Sequence, residues 1–479
     1  MPVNTPCKEY VKKLTQWKTV RDCVEGEIEI KEGGTKYLPK PSGQSNDDYT
    51  VYKERAKFFD GTSRTAEGYH GHIFSKPPTQ PSDVFEGIKN NLNDVDAAGT
   101  NIYQFASDIV WDCEMTGWGG ILVDHISVPE GTTLAALKRG AYLKWYAAET
   151  IINWEYEVHN GIKRLALVVL REDRKEKRAD DEFVFYSVES YRVLSFDENG
   201  NYIQRVFEKD KEGEFEVVDS ITPKINNKPF DFIPFFTCPS ESPDKSMLLG
   251  LAFENIGHYQ KTADYENGLH FTGVPTPVAE NMKQPMLEEG GKKVPAKVQL
   301  GGTTMQFFYG GEGVNVNVKY LEFSGAGLGQ LLSALNSCLD RMAKLGIQAI
   351  GSEKKGVETA EVAQIHRASE NGTLGAFARN MSDKMTQAVR LMLKWNGVPD
   401  AEADEWFFEL NDTYNSSELS AQILSIMHSA RQSGEIPVSV WFTALKKAGY
   451  IPDSITLDQF LLEIEHTQTG SHGPDGNDG

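Results

Sequence analysis

The sequence predicts an α+β fold, and three features carry that prediction. Short β-rich runs fill residues 119 to 240, with Asn160-Gly161 and Asn199-Gly200 between them as hairpin signals. Leucines then recur at helical spacing from Leu328 to Leu345, and a second helical pattern runs from about Glu358 to Trp395, carrying Val362, Ile365, Leu374, Phe377, Met381, Met385, Met392 and Trp395. The chain has 479 residues, 39% hydrophobic and 25% charged, which is enough for a sizeable core in more than one domain. Its longest clean apolar run, Leu165 to Leu170, is far short of the ~18 residues that suggest a membrane helix. Met1-Pro2-Val3-Asn4, with Lys12 and Lys13 soon after, lacks the apolar core of a signal peptide. Cys7, Cys23, Cys113, Cys238 and Cys338 are odd in number and without CxxC spacing. They read as buried thiols of a protein made and assembled in a reducing cytoplasm.

Taken in order, Val11, Leu14, Trp17 and Val24 predict an N-terminal helix, followed by irregular chain to about residue 80. A second helix is expected from Tyr49 to Phe59, with Val51, Tyr52, Ala56 and Phe59 on one side, and a third from Asn101 to Met115 on Ile102, Phe105, Ile109 and Cys113. Ile121–Val123, Leu143–Tyr146, Ile151–Tyr156, Leu165–Leu170, Phe183–Val188 and Tyr191–Phe196 are the expected strands of a mainly antiparallel sheet. The run Arg171 to Glu182 holds five basic and six acidic residues, so it reads as a solvated hairpin tip and not a nucleic-acid patch. Ser242-Pro243 has the form of a helix start, and Leu248, Ala252, Ile256, Tyr259 and Ala263 mark one face of a helix reaching about Phe271. Residues 273–325 are β-like, with Val314, Val316, Val318 and Tyr320 alternating with polar residues. Leu328, Leu331, Leu332, Leu335, Leu339, Met342 and Leu345 form the strongest helical stripe, which is expected to pack as core. The polar segment Gly351-Ser352-Glu353-Lys354-Lys355-Gly356 separates it from the last long helix, where Gly372 and Gly375 predict a kink or break. Shorter helices are expected at Leu419–Ala430, Val438–Ala448 and Leu457–Glu465, before a disordered tail at 467–479.

Charge and missing motifs narrow the function. A net charge of −20 excludes ordinary DNA binding by broad phosphate neutralisation, but not a protein that surrounds DNA without gripping it. Gly351 and Gly356 have the glycine spacing of a phosphate loop, yet Val357 stands where its lysine belongs. HExxH and GxSxG are absent. His70 and His72 lack companion ligands at metal spacing and read as a loop or strand pair, and His258 reads as a polar-face residue of its helix. Composition and motifs therefore point to no catalytic residue, cofactor or metal.

The order of parts resembles the portal proteins of tailed bacteriophages. So do Tyr10-Val-Lys-Lys13 with Trp17 and Arg21-Asp22, Tyr37-Leu-Pro39, Tyr52-Lys-Glu-Arg-Ala56 with Phe58-Phe59, Gly68 to Pro77, and His258-Tyr-Gln-Lys-Thr-Ala-Asp-Tyr-Glu-Asn267. The resemblance spans about residues 7 to 465. It implies an α+β wing in 1–241, a first stem helix at 242–272, a β-rich clip at 273–325, a second stem helix at 326–350, a tunnel loop at 351–357, a long wing helix at 358–398 and crown-like helices at 399–466. It also implies a ring, expected to be a dodecamer, at one vertex of the virion capsid. Through its channel double-stranded DNA would be packaged and ejected. The implied partners are the major capsid protein, the terminase large subunit and head-to-tail adaptor proteins. Gly351 to Gly356 would face the DNA, and Lys292, Lys293, Val314, Val316, Val318 and Tyr320 would form the clip docking surface. Two other classes stay open at this point: a phage-associated nuclease or hydrolase with an unfamiliar site, and a virion structural protein without a DNA channel.

Overall fold

The computed structural model describes residues 2–81, 86–125, 140–178, 180–273, 276–281, 286–289, 292–295, 317–321, 325–346, 360–412, 421–433, 436–447, 450–451 and 455–462. The protein is α+β, as its patterning predicts. Six helices come first: α1 (Lys8–Glu25), α2 (Glu27–Glu32), α3 (Asn46–Arg55), α4 (Gly61–Ile73), α5 (Glu86–Leu92) and α6 (Ile102–Thr116). Twelve strands follow: β1 (Gly119–His125), β2 (Ala141–Ala147), β3 (Ile151–His159), β4 (Ile162–Arg171), β5 (Arg174–Arg178), β6 (Asp181–Val188), β7 (Ser190–Phe196), β8 (Tyr202–Lys209), β9 (Phe215–Ile221), β10 (Lys224–Ile225), β11 (Lys228–Pro229) and β12 (Phe235–Cys238). Then come α7 (Leu249–Gly273), the short strands β13 (Thr276–Glu280), β14 (Met286–Glu289), β15 (Lys292–Pro295) and β16 (Asn317–Leu321), and the helices α8 (Ala326–Leu345), α9 (Ala360–Trp395), α10 (Asp400–Glu405), α11 (Ala421–Gln432) and α12 (Val438–Lys447). Two compact units result: residues 1–71, 80–356 and 380–408 in one, residues 72–79, 357–379 and 409–479 in the other.

Helix α1 begins where Cys7 adopts an extended backbone and its Sγ accepts the Tyr10 N–H at 3.4 Å. The expected face is only half right. Trp17 and Val24 are buried, but Val11 and Leu14 face solvent, and Tyr10, Val20 and Cys23 are buried in their place. The aromatic rings decide the rotation: Trp17 stacks on Trp118 with centroids 6.4 Å apart, and the Tyr10 hydroxyl donates to the Glu149 carbonyl at 2.8 Å. The expected second helix is α3, which ends at Arg55, short of Phe59; around it the chain to residue 80 is not irregular, since α2 and α4 also lie within it. A half-buried ion cluster fixes α1 to the body: the Arg21 guanidinium reaches Glu149 at 2.5 Å and Asp112 of α6 at 2.7 Å, while the Trp145 indole donates to Asp112 at 2.9 Å. Burial pushes the Asp112 carboxyl up, with Arg21 working in the opposite direction.

Strands β3-β4-β7-β8-β9 form an antiparallel sheet in that order, and β12-β1-β2 form a second. Asn160 and Gly161 both have positive φ, at 51° and 80°, which the tight β3–β4 turn needs. At the β7–β8 turn the Asp197 carboxylate accepts the N–H groups of Asn199 and Asn201 at 2.9 and 2.8 Å, and Gly200 carries the positive φ. The Arg171–Glu182 run becomes β5 and the turn into β6, with most of its residues exposed, as expected of a hairpin tip. Cys23, Cys113, Cys238 and Cys338 are buried free thiols, and Cys7 is half-buried.

Glu114 of α6 is fully buried, among the described residues its two carboxylate oxygens have no hydrogen-bond partner, and His70 Nδ1 lies 3.8 Å away. Burial pushes this carboxyl from 4.5 up to about 7, with His70 pulling the other way. The folded protein therefore holds this proton to higher pH than the unfolded chain does. The contribution is full below about pH 4.5 and is lost as pH rises to about 7. Replacing Glu114→Gln should stabilise the protein at pH 8 by about 2–3 kcal/mol, with the gain shrinking as pH falls to 4.5. Urea midpoints of the two proteins at both pH values check this; an equal difference at both would contradict a raised Glu114 pKa in the folded protein.

Candidate assembly site: the paired helices and their insert

The expected helix start at Ser242-Pro243 is not used: α7 begins at Leu249. Ser246 caps the approach instead, its hydroxyl accepting the Leu248 N–H at 3.1 Å and donating to the Glu114 carbonyl at 3.2 Å. The expected face is buried: Leu248, Ala252, Ile256, Tyr259 and Ala263 are all in the core. Around this face the body is continuous. The Tyr259 ring meets Phe58 edge-on, the Tyr52 hydroxyl donates to Asp264 at 2.6 Å, and the Gln260 amide donates to the Tyr37 carbonyl at 2.8 Å.

Helix α8 runs back along α7 in the opposite direction. Near one end, a Cβ placed on Gly268 would lie 2.7 Å from the Leu328 side chain; further along, Arg341 pairs with Glu254 at 3.0 Å; at the other end, Gly346 lies against Leu251. At 25 and 20 residues these helices are rods of about 38 and 30 Å. The leucine stripe is only partly covered. Leu335 and Met342 are buried, and so is Cys338, which apolar spacing passed over. Leu332 and Leu345, expected in the core, are 45% and 44% exposed, and on α7 Phe253, Leu269 and Phe271 are exposed as well. The reason is geometric. One antiparallel partner covers a strip of each helix, and a stripe of seven apolar positions is wider than that strip.

The insert closes on itself where it leaves the helices. Strand β13 pairs antiparallel with β16, Thr276 opposite Leu321 and Glu280 opposite Asn317, and β14 pairs with β15. Val318 and Tyr320 stand opposite Ala279 and Pro277, so the described half of the expected docking strand has one edge already paired within the chain. In the β14–β15 register Lys292 pairs with Glu289 and Lys293 with Glu288. Val314 and Val316 lie outside the described residues, as do Gly351, Ser352, Glu353, Lys354, Lys355 and Gly356.

Helix α9 does not break at its glycines; it is continuous from Ala360 to Trp395. Gly375 is there for space, since a Cβ would stand 2.8 Å from the Asp412 carbonyl, beside the Arg379–Asp412 ion pair at 2.9 Å. The expected apolar face of its second half is buried, with Leu374, Phe377, Met381, Met385, Met392 and Trp395 all in the core. His70 and His72 sit on α4 and not in a loop or strand, and two residues apart on a helix they point to different sides. Burial and then Lys261 lower the pKa of His258, which is half-buried against Phe59. A cleft of about 1120 Å³ opens between β1, β2 and the β7-β8-β9 edge. Inside it Asp124 accepts from Arg192 at 3.2 Å and Gln204 at 3.0 Å, and Arg192 also pairs with Glu172 at 3.1 Å. Among the described residues, no group of three His, Cys, Asp or Glu could hold a metal, and no helix is long and apolar enough to cross a membrane.

Residues 247–396 match the profile described as a domain of unknown function, DUF4055, a stretch that takes in α7, the insert, α8 and α9. Two solved structures are similar in chain path. One is the neck of an empty GTA particle computed with C6 symmetry, at 11% identity and a TM-score of 0.37, covering 89% of this chain and 96% of that one. The other is the virion of a native gene transfer agent particle, at 11% identity and a TM-score of 0.32, covering 89% and 97%. Likeness of that size does not decide a function. No curated protein matches the chain.

The helix pair makes a paired stability prediction. Gly346 is buried, and a Cβ there would lie 2.6 Å from Thr65 Cγ2, a stiff neighbour, so Gly346→Ala should cost about 1–3 kcal/mol. Gly329 in α8 has nothing within 4 Å, so Gly329→Ala should gain about 0.5–1 kcal/mol from helix propensity. Denaturant midpoints of the two variants should move in opposite directions.

Proposed function

We propose that this chain is the subunit of a portal-type ring: a homo-oligomer with an axial channel at one capsid vertex, through which double-stranded DNA enters and leaves. The observation that carries the reading is the order and pairing of the middle of the chain. A helix rooted in an α+β body leads to a small β insert closed at its base, an antiparallel helix returns, and a long helix follows. That is the order of stem, clip, stem and wing helix that the sequence resemblance implies. The uncovered Leu332, Leu345 and Phe253 add to it, because apolar surface along a rod is what side-by-side copies would cover.

On this reading Lys292, Lys293, Val318 and Tyr320 belong to a clip that meets the terminase large subunit and later the head-to-tail adaptors, and the body meets the major capsid protein. Twelve copies are the proposed number. Residues 351–356 connect the second stem helix to the wing helix and would form the channel constriction. Residues 326–398 carry nine basic and six acidic groups, a local +3 in a chain of −20. An otherwise acidic or neutral wall would keep DNA mobile while Lys354 and Lys355 touch its backbone in passing.

Light scattering on the purified protein tests the reading: particles of about twelve subunit masses are expected, and a persistent monomer at micromolar concentration in physiological salt would contradict it. Removing residues 276–321 and joining the helices with a short turn should leave the body folded and abolish DNA packaging. Particles that still package DNA with this deletion would show that the insert is not the docking element.

A further inference from the structure

Strands β5 and β6 form a two-stranded arm that belongs to neither larger sheet. A ribbon wetted on both faces is marginal by itself, and one that only had to stay soluble would carry polar residues. Here Phe183, Val184, Phe185 and Tyr186 are all exposed, Phe183 at 85%. The two faces differ. On one, Arg174 pairs with Glu176 at 2.5 Å and with Glu208 of β8 at 3.2 Å, and the Tyr186 hydroxyl donates to Glu176 at 2.7 Å, so the charges close on themselves. On the other, Lys175 stands opposite Ser187 and Lys177 opposite Phe185, with Phe183 two residues further along the same side. Among the described residues neither lysine has an acidic partner. This face is aromatic, basic and uncovered.

A surface of the opposite kind lies on β9, the outer strand of the five-stranded sheet. The register slips there, with Val206 opposite Asp219 and Phe207 opposite Val217, so Val218 is an extra residue and both valines reach solvent. Glu216 and Asp219 flank them, exposed, and among the described residues neither is ion-paired.

We infer that the arm of one copy seats on the β9 edge of a second copy, Phe183 and Phe185 over Val217 and Val218, with Lys175 and Lys177 against Glu216 and Asp219. The match of charge and apolar surface points to a copy of this chain as the occupant. The two patches are different surfaces, so the contact is head-to-tail and repeats from copy to copy until the rotation closes a ring. In naming a second copy the inference rests on the ring reading, and it assigns to that ring a specific contact between β strands of the body.

Cross-linking tests it. A Phe183→Cys/Val218→Cys double variant, oxidised in the assembled state, should give a ladder of covalent multimers on a denaturing gel, and neither single variant should give one. Lys175→Glu/Lys177→Glu should weaken association by about tenfold or more, and adding Glu216→Lys/Asp219→Lys should restore it. Rings that assemble normally in the charge variant, with no ladder from the cysteine pair, would overturn the arm contact and leave the ring reading standing. A double-cysteine product that stops at the dimer would overturn the head-to-tail arrangement. A wild-type protein that stays monomeric would remove both.

Discussion

Helix α7 has to satisfy two environments along one rod. Its first two-thirds lie against the body, where Leu251, Ala252, Ile256, Tyr259 and Ala263 are buried and Asp264 and Gln260 bond to the N-terminal segment. Its last turns rely on α8, and there Gly268 lets Leu328 approach the backbone. Nearly everything distal follows from this seat. If α7 is fixed in the body, α8 must run antiparallel to it, and the ends of β13 and β16 are brought together as the base of the insert.

The body that holds α7 is itself fastened by charge as much as by packing. Arg21 with Asp112 and Glu149 fixes α1 to α6, and Arg192 with Asp124 and Glu172 spans the edge of the cleft. Arg192 and Lys144 hold the Glu172 carboxyl below its ordinary range against the opposing effect of burial. Such clusters are costly to break singly, because removal of one partner leaves a half-buried charge unpaired. They hold Asp124 and Arg192 in place at the edge of the cleft.

Strand content and the two Asn-Gly turns were legible because alternation and turn chemistry are local properties of the chain. The inner face of α7 and the apolar face of the second half of α9 were legible for the same reason, period alone being enough to mark them. Three things were not. The face of α1 turned on Trp118 and Glu149, more than a hundred residues away, so the spacing of Val11 and Leu14 misled. Gly375 looked like a helix breaker because its contact with the Asp412 carbonyl is invisible in one dimension. The width of the α8 stripe was read as core, whereas a single antiparallel partner leaves Leu332 and Leu345 in solvent. On the ring reading, exposed leucine on a strongly periodic helix marks an interface, and pattern alone cannot distinguish it from core.

The central claim is that α7 and α8 are the stem of a ring. Electron micrographs of the purified assembly viewed down its symmetry axis test it most directly. The account predicts a ring of about twelve subunits with an open axial channel bounded by the α7–α8 pairs and with the β insert at one end. Averaged particles without a central hole, or with these helix pairs buried inside a compact closed oligomer, would contradict it.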